Sequence, residues 1–369
     1  MKKKMMIAAA ATAISMTALA GNYTYAATKK DASVQVSVQQ SKLAKQVDQF
    51  LKENKFSGSI LLVKGGKTIV KKGYGLANHK TKAKNNYDTI FRIGSVTKTF
   101  TSTAVMQLVE KGKLKLDDPI NKFIPDFPNG DKITIEHLLT HSSGLPEYFP
   151  EDPGKDPEKL SKYITNEELV EQISKMGLQF EPGTDASYSN SGFALLGYII
   201  ERVAHTTWEN YVNEYFFKPL DMDRSGVDIN QPILPNHSVG YGWDYGNVDM
   251  SYAGPAGAIY STVGDLHKFD DALLSGKLIS KQSLKKMFTP GLKGYGYGWV
   301  DGKNLKLSSD WRWHNGHIPG WHAYNGVNQK KKTQLIMMSN YDNPKNEYEV
   351  ELMAMKLTEL IETGKIKKK

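Results

Sequence analysis

The sequence predicts an α/β (α+β) fold in which one antiparallel sheet is assembled from N- and C-terminal segments, flanked by helices, with a mainly helical lobe inserted between them. Three observations carry this. Two strand-like runs near the start, 57–63 and 68–75, are joined through Gly65-Gly66, a pair that tolerates the positive φ of a tight hairpin. Strand-like runs return only late, at 295–300, 312–314, 323–327 and 335–339. Between about Leu116 and Lys286 the chain alternates helical stretches with Pro and Gly breaks.

Taken in order, residues 1–26 read as a secretory leader. Lys2, Lys3 and Lys4 form a charged start, Met5 to Ala20 is apolar and small, and Ala18-Leu19-Ala20 is an A-x-A cleavage site, with a second ending at Ala26. The apolar run is too short for a membrane span, so a secreted or wall-associated chain is expected. Residues 27–40 are a polar lead-in. Ser41 to Glu53 has helical spacing through Leu43, Val47, Phe50 and Leu51. After the hairpin, Thr97 to Val109 reads helical, with Gly112 as its stop. Asn328 to Lys332 is a polar turn between the last two strands, and a final amphipathic helix is expected from about Asn346 to Ile361. The folded domain therefore spans 41–361, with a basic tail over 362–369.

The chain has 369 residues, enough for a large core, with 40% hydrophobic and 24% charged side chains. It holds no cysteine, which rules out disulfides and lipidation of an N-terminal thiol. Loss of residues 1–26 removes three lysines and no acid, leaving 45 basic against 39 acidic side chains and a net charge of +6. A positive exported protein suits contact with an anionic wall or membrane surface. Nothing resembles a nucleic-acid module, and export argues against one.

Three short motifs follow one another: Ser95-Val96-Thr97-Lys98, Tyr188-Ser189-Asn190 and His314-Asn315-Gly316. A serine hydroxyl needs a neighbour to take its proton before it can attack a carbonyl. Residues i and i+3 share a helix face, so Lys98 can reach Ser95. A helix N-terminus at Ser95 would also favour a developing anion. Each motif is weak alone. S-x-x-K recurs at Ser283 to Lys286, on what reads as a solvated helix face, and Y-x-N recurs at Tyr211, Tyr245 and Tyr341. Only Tyr188 follows a turn, Glu181-Pro182-Gly183-Thr184, and precedes an apolar helical run, Phe193 to Val203. There is no G-x-S-x-G elbow and no H-E-x-x-H pair, so neither an α/β-hydrolase site nor a metal or other cofactor is expected. His137 and His141 read as structural. Trp311, Trp313, Trp321 and Tyr324 suit either core packing or the cleft wall, and Trp243 and Tyr245 a cleft rim.

With these motifs the chain resembles the serine β-lactamase and penicillin-binding protein superfamily, on its class C-like, DD-peptidase branch. The likeness extends to Phe91 through Ser95, Thr134 through Pro146, Glu181 through Gly197, Ala253 through Gly257, and His314 through Gly320, and covers roughly 45–360. It implies a β-lactamase/transpeptidase-like fold with the site in a cleft between lobes. It also implies that Ser95 is acylated, that Lys98 helps remove its proton, and that Tyr188 relays a proton to the leaving group. Asn190 would bond the substrate amide, the strand carrying His314, Asn315 and Gly316 would align the substrate as an added strand, and the N–H groups of Ser95 and His317 would form the oxyanion hole. Gly316 would leave room for the substrate backbone. Class C β-lactamases carry lysine where this chain has His314, whereas secreted DD-carboxypeptidases use the H-x-G form. The resemblance thus implies an exported D-Ala-D-Ala carboxypeptidase acting on peptidoglycan peptides, with β-lactams as acylating ligands. A D-alanyl esterase on teichoic acid, a β-lactamase/esterase and a non-catalytic penicillin-binding sensor are the alternatives. If a protonated His314 reads the substrate carboxylate, turnover should improve as pH falls toward its pKa.

Overall fold

The computed structural model describes residues 38–150, 160–228, 235–242, 248–305, 308, 310–343 and 349–366. The leader, residues 27–37, Trp243, Tyr245 and the last three lysines lie outside the described residues. Among the described residues no helix is long and apolar enough to cross a membrane.

The chain's two ends meet in one sheet. Strands β1 (Gly58–Lys64) and β2 (Lys67–Tyr74) form the expected hairpin, with Lys64 opposite Lys67 and Gly65 and Gly66 at φ of 61° and 74°. Both turn positions require left-handed backbone, which glycine adopts without penalty. Three late strands, β9 (Trp311–Ile318), β10 (Trp321–Asn328) and β11 (Thr333–Ser339), form an antiparallel meander, and β11 pairs with β1. The sheet order is β2-β1-β11-β10-β9-β8, with β8 at Val300–Asp301, while β3 (Leu76–Asn78) and β4 (Ala83–Lys84) pair apart from it. The edge strand β8 is shorter than the 295–300 expected. Only Val300–Asp301 pairs, because Gly298 turns the chain at φ 72° and 292–294 coil into a 3-10 turn.

Side chains alternate across this sheet and feed two cores. On one face Ile60, Leu62, Tyr324, Leu335 and Met337 pack under helices α1 (Val38–Glu53) and α10 (Glu349–Thr363). Helix α1 begins three residues before the expected Ser41. On the other face Leu61, Val63, Ile336 and Met338 join a cluster that continues into the helical lobe. Strand β11 is therefore buried on both faces, which is why it reads as a continuous apolar run rather than an alternating one. The tryptophan question resolves by packing: Trp311, Trp313 and Tyr324 are core, and half-buried Trp321 covers the Arg92 guanidinium at 4.8 Å.

The lobe is organised around helix α2 (Thr97–Glu110), whose residues 97–106 are all buried. A helix this rich in threonine can be enclosed because three of its threonine hydroxyls find carbonyls. Thr99 donates to the Val96 oxygen at 2.8 Å, Thr103 to Thr99 at 2.7 Å and Thr101 to Pro255 at 2.7 Å. Helix α3 (Ile135–Leu139) is capped reciprocally by Thr134 and His137, and α4 (Asn166–Ser174) by Thr165 and Glu168. Helix α5 (Asn190–Ala204) starts at Asn190 with Ser189 as its cap. Helix α6 (Trp208–Val212) buries Tyr211, whose hydroxyl meets Gln107 at 3.2 Å. A short helix α7 (Gly254–Gly257) packs against α5 so closely that a β-carbon added at Gly197 would sit 2.0 Å from Pro255 Cγ. Helix α8 (Val263–Ser275), within the span expected to be the separate lobe, lies on the sheet, where Leu266 and Phe269 join the cluster that includes Leu61 and Ile336. A small sheet not read from the sequence, β5 (Phe91–Arg92) against β7 (Ile259–Ser261) against β6 (Gly226–Val227), anchors the segment entering Ser95.

The Gly197–Pro255 contact yields a prediction about the frame. Gly197→Ala should destabilise the protein by ~1–3 kcal/mol through overpacking, read as a lower urea midpoint, and should slow Ser95 acylation because α7 shifts. A midpoint and rate equal to wild type would show that this contact does not set the position of α7.

Candidate active site

Three segments far apart in sequence meet at Ser95. Strand β5 delivers the chain to a 3-10 turn, Gly94–Val96, that runs directly into α2. Ser95 thus sits at the N-terminal end of a buried helix, and Lys98 lies one turn further on. The Lys98 side chain is fully buried. Its Nζ donates to Ser95 Oγ at 3.0 Å, to Asn190 Oδ1 at 2.7 Å and to the Ala256 carbonyl at 2.9 Å. Every N–H of the ammonium thus has an acceptor, each from a different element. Burial still penalises its charge and, against an opposing pull from Glu147, lowers the pKa to about 7. The geometry and the pKa together make Lys98 a base available at neutral pH.

Tyr188 is placed by the loop 141–147. Ser187 N–H donates to the His141 carbonyl at 2.9 Å and Ser189 N–H to His141 Nδ1 at 3.2 Å. Ser191 Oγ donates to the Pro146 carbonyl at 2.5 Å, and Asn190 N–H to Glu147 at 2.8 Å. The buried His141 ring packs on the Tyr188 ring at 4.4 Å. His141 and Glu147 thus hold the second motif. The Tyr188 ring is 47% exposed along the cleft and lies 4.8 Å from Lys98 Nζ. Desolvation by the surrounding protein raises its pKa, while contact with the Ser95 hydroxyl lowers it; the net direction is up, so Tyr188 rests as a neutral phenol.

The third motif lies on β9. Gly316 is glycine for a reason other than substrate access. A β-carbon there would fall 1.9 Å from the Ile93 carbonyl oxygen and 2.9 Å from Ser95 N, so the strand lies directly on the nucleophile turn. Gly94, at φ 51°, makes the reciprocal approach: its β-carbon would sit 2.7 Å from His317 N. Two bare α-carbons bring the Ser95 and His317 backbone nitrogens to one seam, as an oxyanion pair requires.

His314 faces inward. It is 1% exposed, with Nε2 2.7 Å from the Tyr295 hydroxyl and Nδ1 2.5 Å from the Asn315 carbonyl. Burial, reinforced by nearby Lys98, pushes its pKa down to about 3. A neutral imidazole in this position supplies no titrating charge to the cleft near neutral pH, so the expected gain in turnover with falling pH has no basis here. Asn315 instead turns to α10, where its Nδ2 donates to Glu351 Oε2 at 2.8 Å. Burial raises the pKa of Glu351 above the usual carboxylate value.

His317 and His322 stack with ring centroids 4.4 Å apart and share the buried Asp342, at 2.8 and 2.9 Å from its two oxygens. Burial alone would raise the Asp342 pKa, but these two bonds outweigh it and hold the carboxyl well below the usual range. The three residues are also a group that could hold a metal ion, their ligand atoms lying within 4.8 Å of one another. The rings are parallel to within 6°, and each Nε2 addresses its own oxygen of Asp342.

The cleft has two arms that meet at Ser95 and His317. A narrow one of about 70 Å³ is lined by Tyr148, Phe149, Asn190, Ala253, Ala256 and Ile318 among others. The wider one, about 380 Å³, is lined by Tyr188, Asn315, Gly316, His322 and Glu351 among others. The motif copies lie elsewhere. Ser283 sits in helix α9 (Lys281–Met287), buried rather than solvated, with its backbone N–H donating to Ser280 Oγ at 3.1 Å, and Tyr341 is exposed. His322, Asp342, Glu147 and Glu351 are the site residues that sequence reasoning missed. His322 immediately precedes the strand run 323–327 and Asp342 lies three residues past the run 335–339, which was the available signal.

Residues 43–359 match the family model named Beta-lactamase. PbpX of Bacillus subtilis (strain 168), a protein named for penicillin binding, is 35% identical over 304 residues, covering 80% of this chain and 74% of its own. A penicillin-binding protein from Bacillus halodurans superposes with a TM-score of 0.72 at 26% identity, covering 84% of this chain and 99% of that one. The D-amino acid amidase of Ochrobactrum anthropi SV3, solved with D-phenylalanine, superposes with a TM-score of 0.76 at 25% identity, covering 89% and 100%.

The Lys98 environment sets a pH signature. Acylation needs the neutral amine, so the rate of Ser95 labelling should rise with pH and reach half its plateau at about 7. Lys98→Ala should lower that rate by ~10²–10⁴-fold, and Tyr188→Phe should lower it while leaving the unfolding midpoint unchanged. A profile flat from pH 5 to 9 would place the base elsewhere.

Proposed function

Because the chain belongs to the beta-lactamase family, we propose that it is an exported serine hydrolase that releases D-alanine from cell-wall polymers through an acyl-enzyme on Ser95. The observation that carries this reading is the fully buried Lys98 amine 3.0 Å from Ser95 Oγ. A binding module has no use for a desolvated amine held at a serine. Lys98 takes the Ser95 proton as Oγ adds to the substrate carbonyl, and the oxyanion develops against the Ser95 and His317 amides. Tyr188 passes a proton to the departing atom as its bond to the carbonyl breaks. Tyr188 recovers its proton from Lys98; water then adds to the ester and gives a proton to Lys98, which returns it to Ser95 Oγ as the acyl–oxygen bond breaks and the acyl group leaves as a free acid. The narrow arm, lacking Tyr188, suits the acyl side and has room for a methyl side chain. The wide arm, which Tyr188 lines, takes the leaving group.

Two substrates fit this chemistry. In a D-alanyl ester of teichoic acid the D-alanine is the acyl group, whereas in a D-Ala-D-Ala peptide it is the leaving group and carries a free carboxylate. Neutral, buried His314 and the carboxylate of Glu351 in the wide arm favour the ester. The carboxypeptidase reading is supported by the relatives named as penicillin-binding proteins. Export rests on the leader, and the +6 charge supports residence near anionic wall polymer.

The test is direct. A fluorescent penicillin should label Ser95, located by mass measurement of the peptide, and purified protein should release D-alanine faster from D-alanylated teichoic acid than from a D-Ala-D-Ala peptide. Absence of any Ser95 adduct would overturn the acyl-enzyme. Turnover of the peptide alone would replace the esterase with a carboxypeptidase.

A further inference from the structure

The wide arm carries the carboxylate of Glu351. Its lining comprises Ser95, Tyr188, Asn315, Gly316, His317, His322, Ala323, Val350 and Glu351, with no lysine or arginine among the described residues. Glu351 projects from the first turn of α10 and accepts a hydrogen bond from Asn315 through Oε2. Among the described residues no cation pairs with it. The two histidines of the arm each direct Nε2 to an oxygen of the fully buried Asp342. The nearby Lys98 amine has its bonds taken up by Ser95, Asn190 and Ala256.

We propose that Glu351 is a specificity-determining residue that disfavours anionic leaving groups in this arm and favours neutral hydroxyl-bearing or cationic ones. The inference rests on the reading of Ser95 as the acylated serine and of the Tyr188 arm as the leaving-group side. A leaving group ending in a carboxylate brings like charge against Glu351 in a partly desolvated cleft, where such juxtaposition is costly. A polyol leaving group instead offers hydroxyls that donate to Glu351 and accept from Asn315. Discrimination here comes from repulsion of the wrong substrate as much as attraction of the right one.

The experiment compares two esters that differ only in charge: D-alanyl-D-lactate, whose leaving group carries a carboxylate, and D-alanyl-D-lactamide, whose leaving group is neutral. The readout is the ratio of their kcat/KM values, which is independent of the fraction of folded enzyme. Wild type should prefer the lactamide on the order of tenfold or more. Glu351→Gln should bring the ratio toward one, and Glu351→Lys should reverse it. A wild-type ratio near one, or a ratio that neither variant moves, overturns the proposal. If wild type cleaves neither ester yet is labelled on Ser95 by fluorescent penicillin, the esterase reading fails separately. The labelling rate then decides, because penicillin bears a carboxylate: faster labelling of Glu351→Gln supports the role of Glu351, and an unchanged rate refutes it.

Discussion

Everything in the cleft depends on enclosing one primary amine. An ammonium removed from water is tolerable only when each N–H finds an acceptor, and Lys98 draws its three from α2's leading turn, α5 and α7. Those three bonds tie together segments near residues 95, 190 and 256. The same burial that makes the amine costly lowers its pKa to about 7, so the structural demand and the catalytic property are one interaction. The threonine hydroxyls of α2 serve the same end, allowing a polar helix to be walled in on all sides.

A second constraint is steric. Strand β9 lies on the turn that carries Ser95 only because Gly94 and Gly316 present no side chain to each other's backbone. The sheet's hydrogen-bond ladder fixes β9 against β10, with Gly316 opposite Ala323 and His317 opposite His322. Register in the sheet therefore decides which amide faces the nucleophile. Asp342, just past the end of β11, clamps His317 and His322 and so steadies the same amide from behind.

The loop at 141–147 shows how a segment can be essential to a site without touching the reacting atoms. His141, with φ of 58°, supports the Tyr188 ring and fixes the backbone on both sides of it, while Glu147 caps the start of α5 through the Asn190 amide. Read from the sequence, His137 and His141 are structural, and that is what they are. His137 closes the capping box of α3, and His141 holds the tyrosine.

The sequence alone determined the elements governed by local rules. Gly65-Gly66 dictates a hairpin because only glycine adopts two successive left-handed conformations cheaply, and the i, i+3 spacing of Ser95 and Lys98 dictates that they touch once a helix forms. The strands at both ends, the helical middle and the three ordered motifs were legible for the same reason. Tertiary structure decided what depends on surroundings. His314 and His317 are three residues apart on one strand, yet the first is sealed against Tyr295 and the second has a side chain 36% exposed in the cleft. The strand's alternation separates their faces, but which face meets water is set by what packs against it. Glu351 shows the same limit. Its partner Asn315 is 36 residues away, and only the packing of α10 on the sheet brings a carboxylate to the mouth of the site. Charge, pKa and reach are properties of the assembled environment, and a string of residues does not contain that environment.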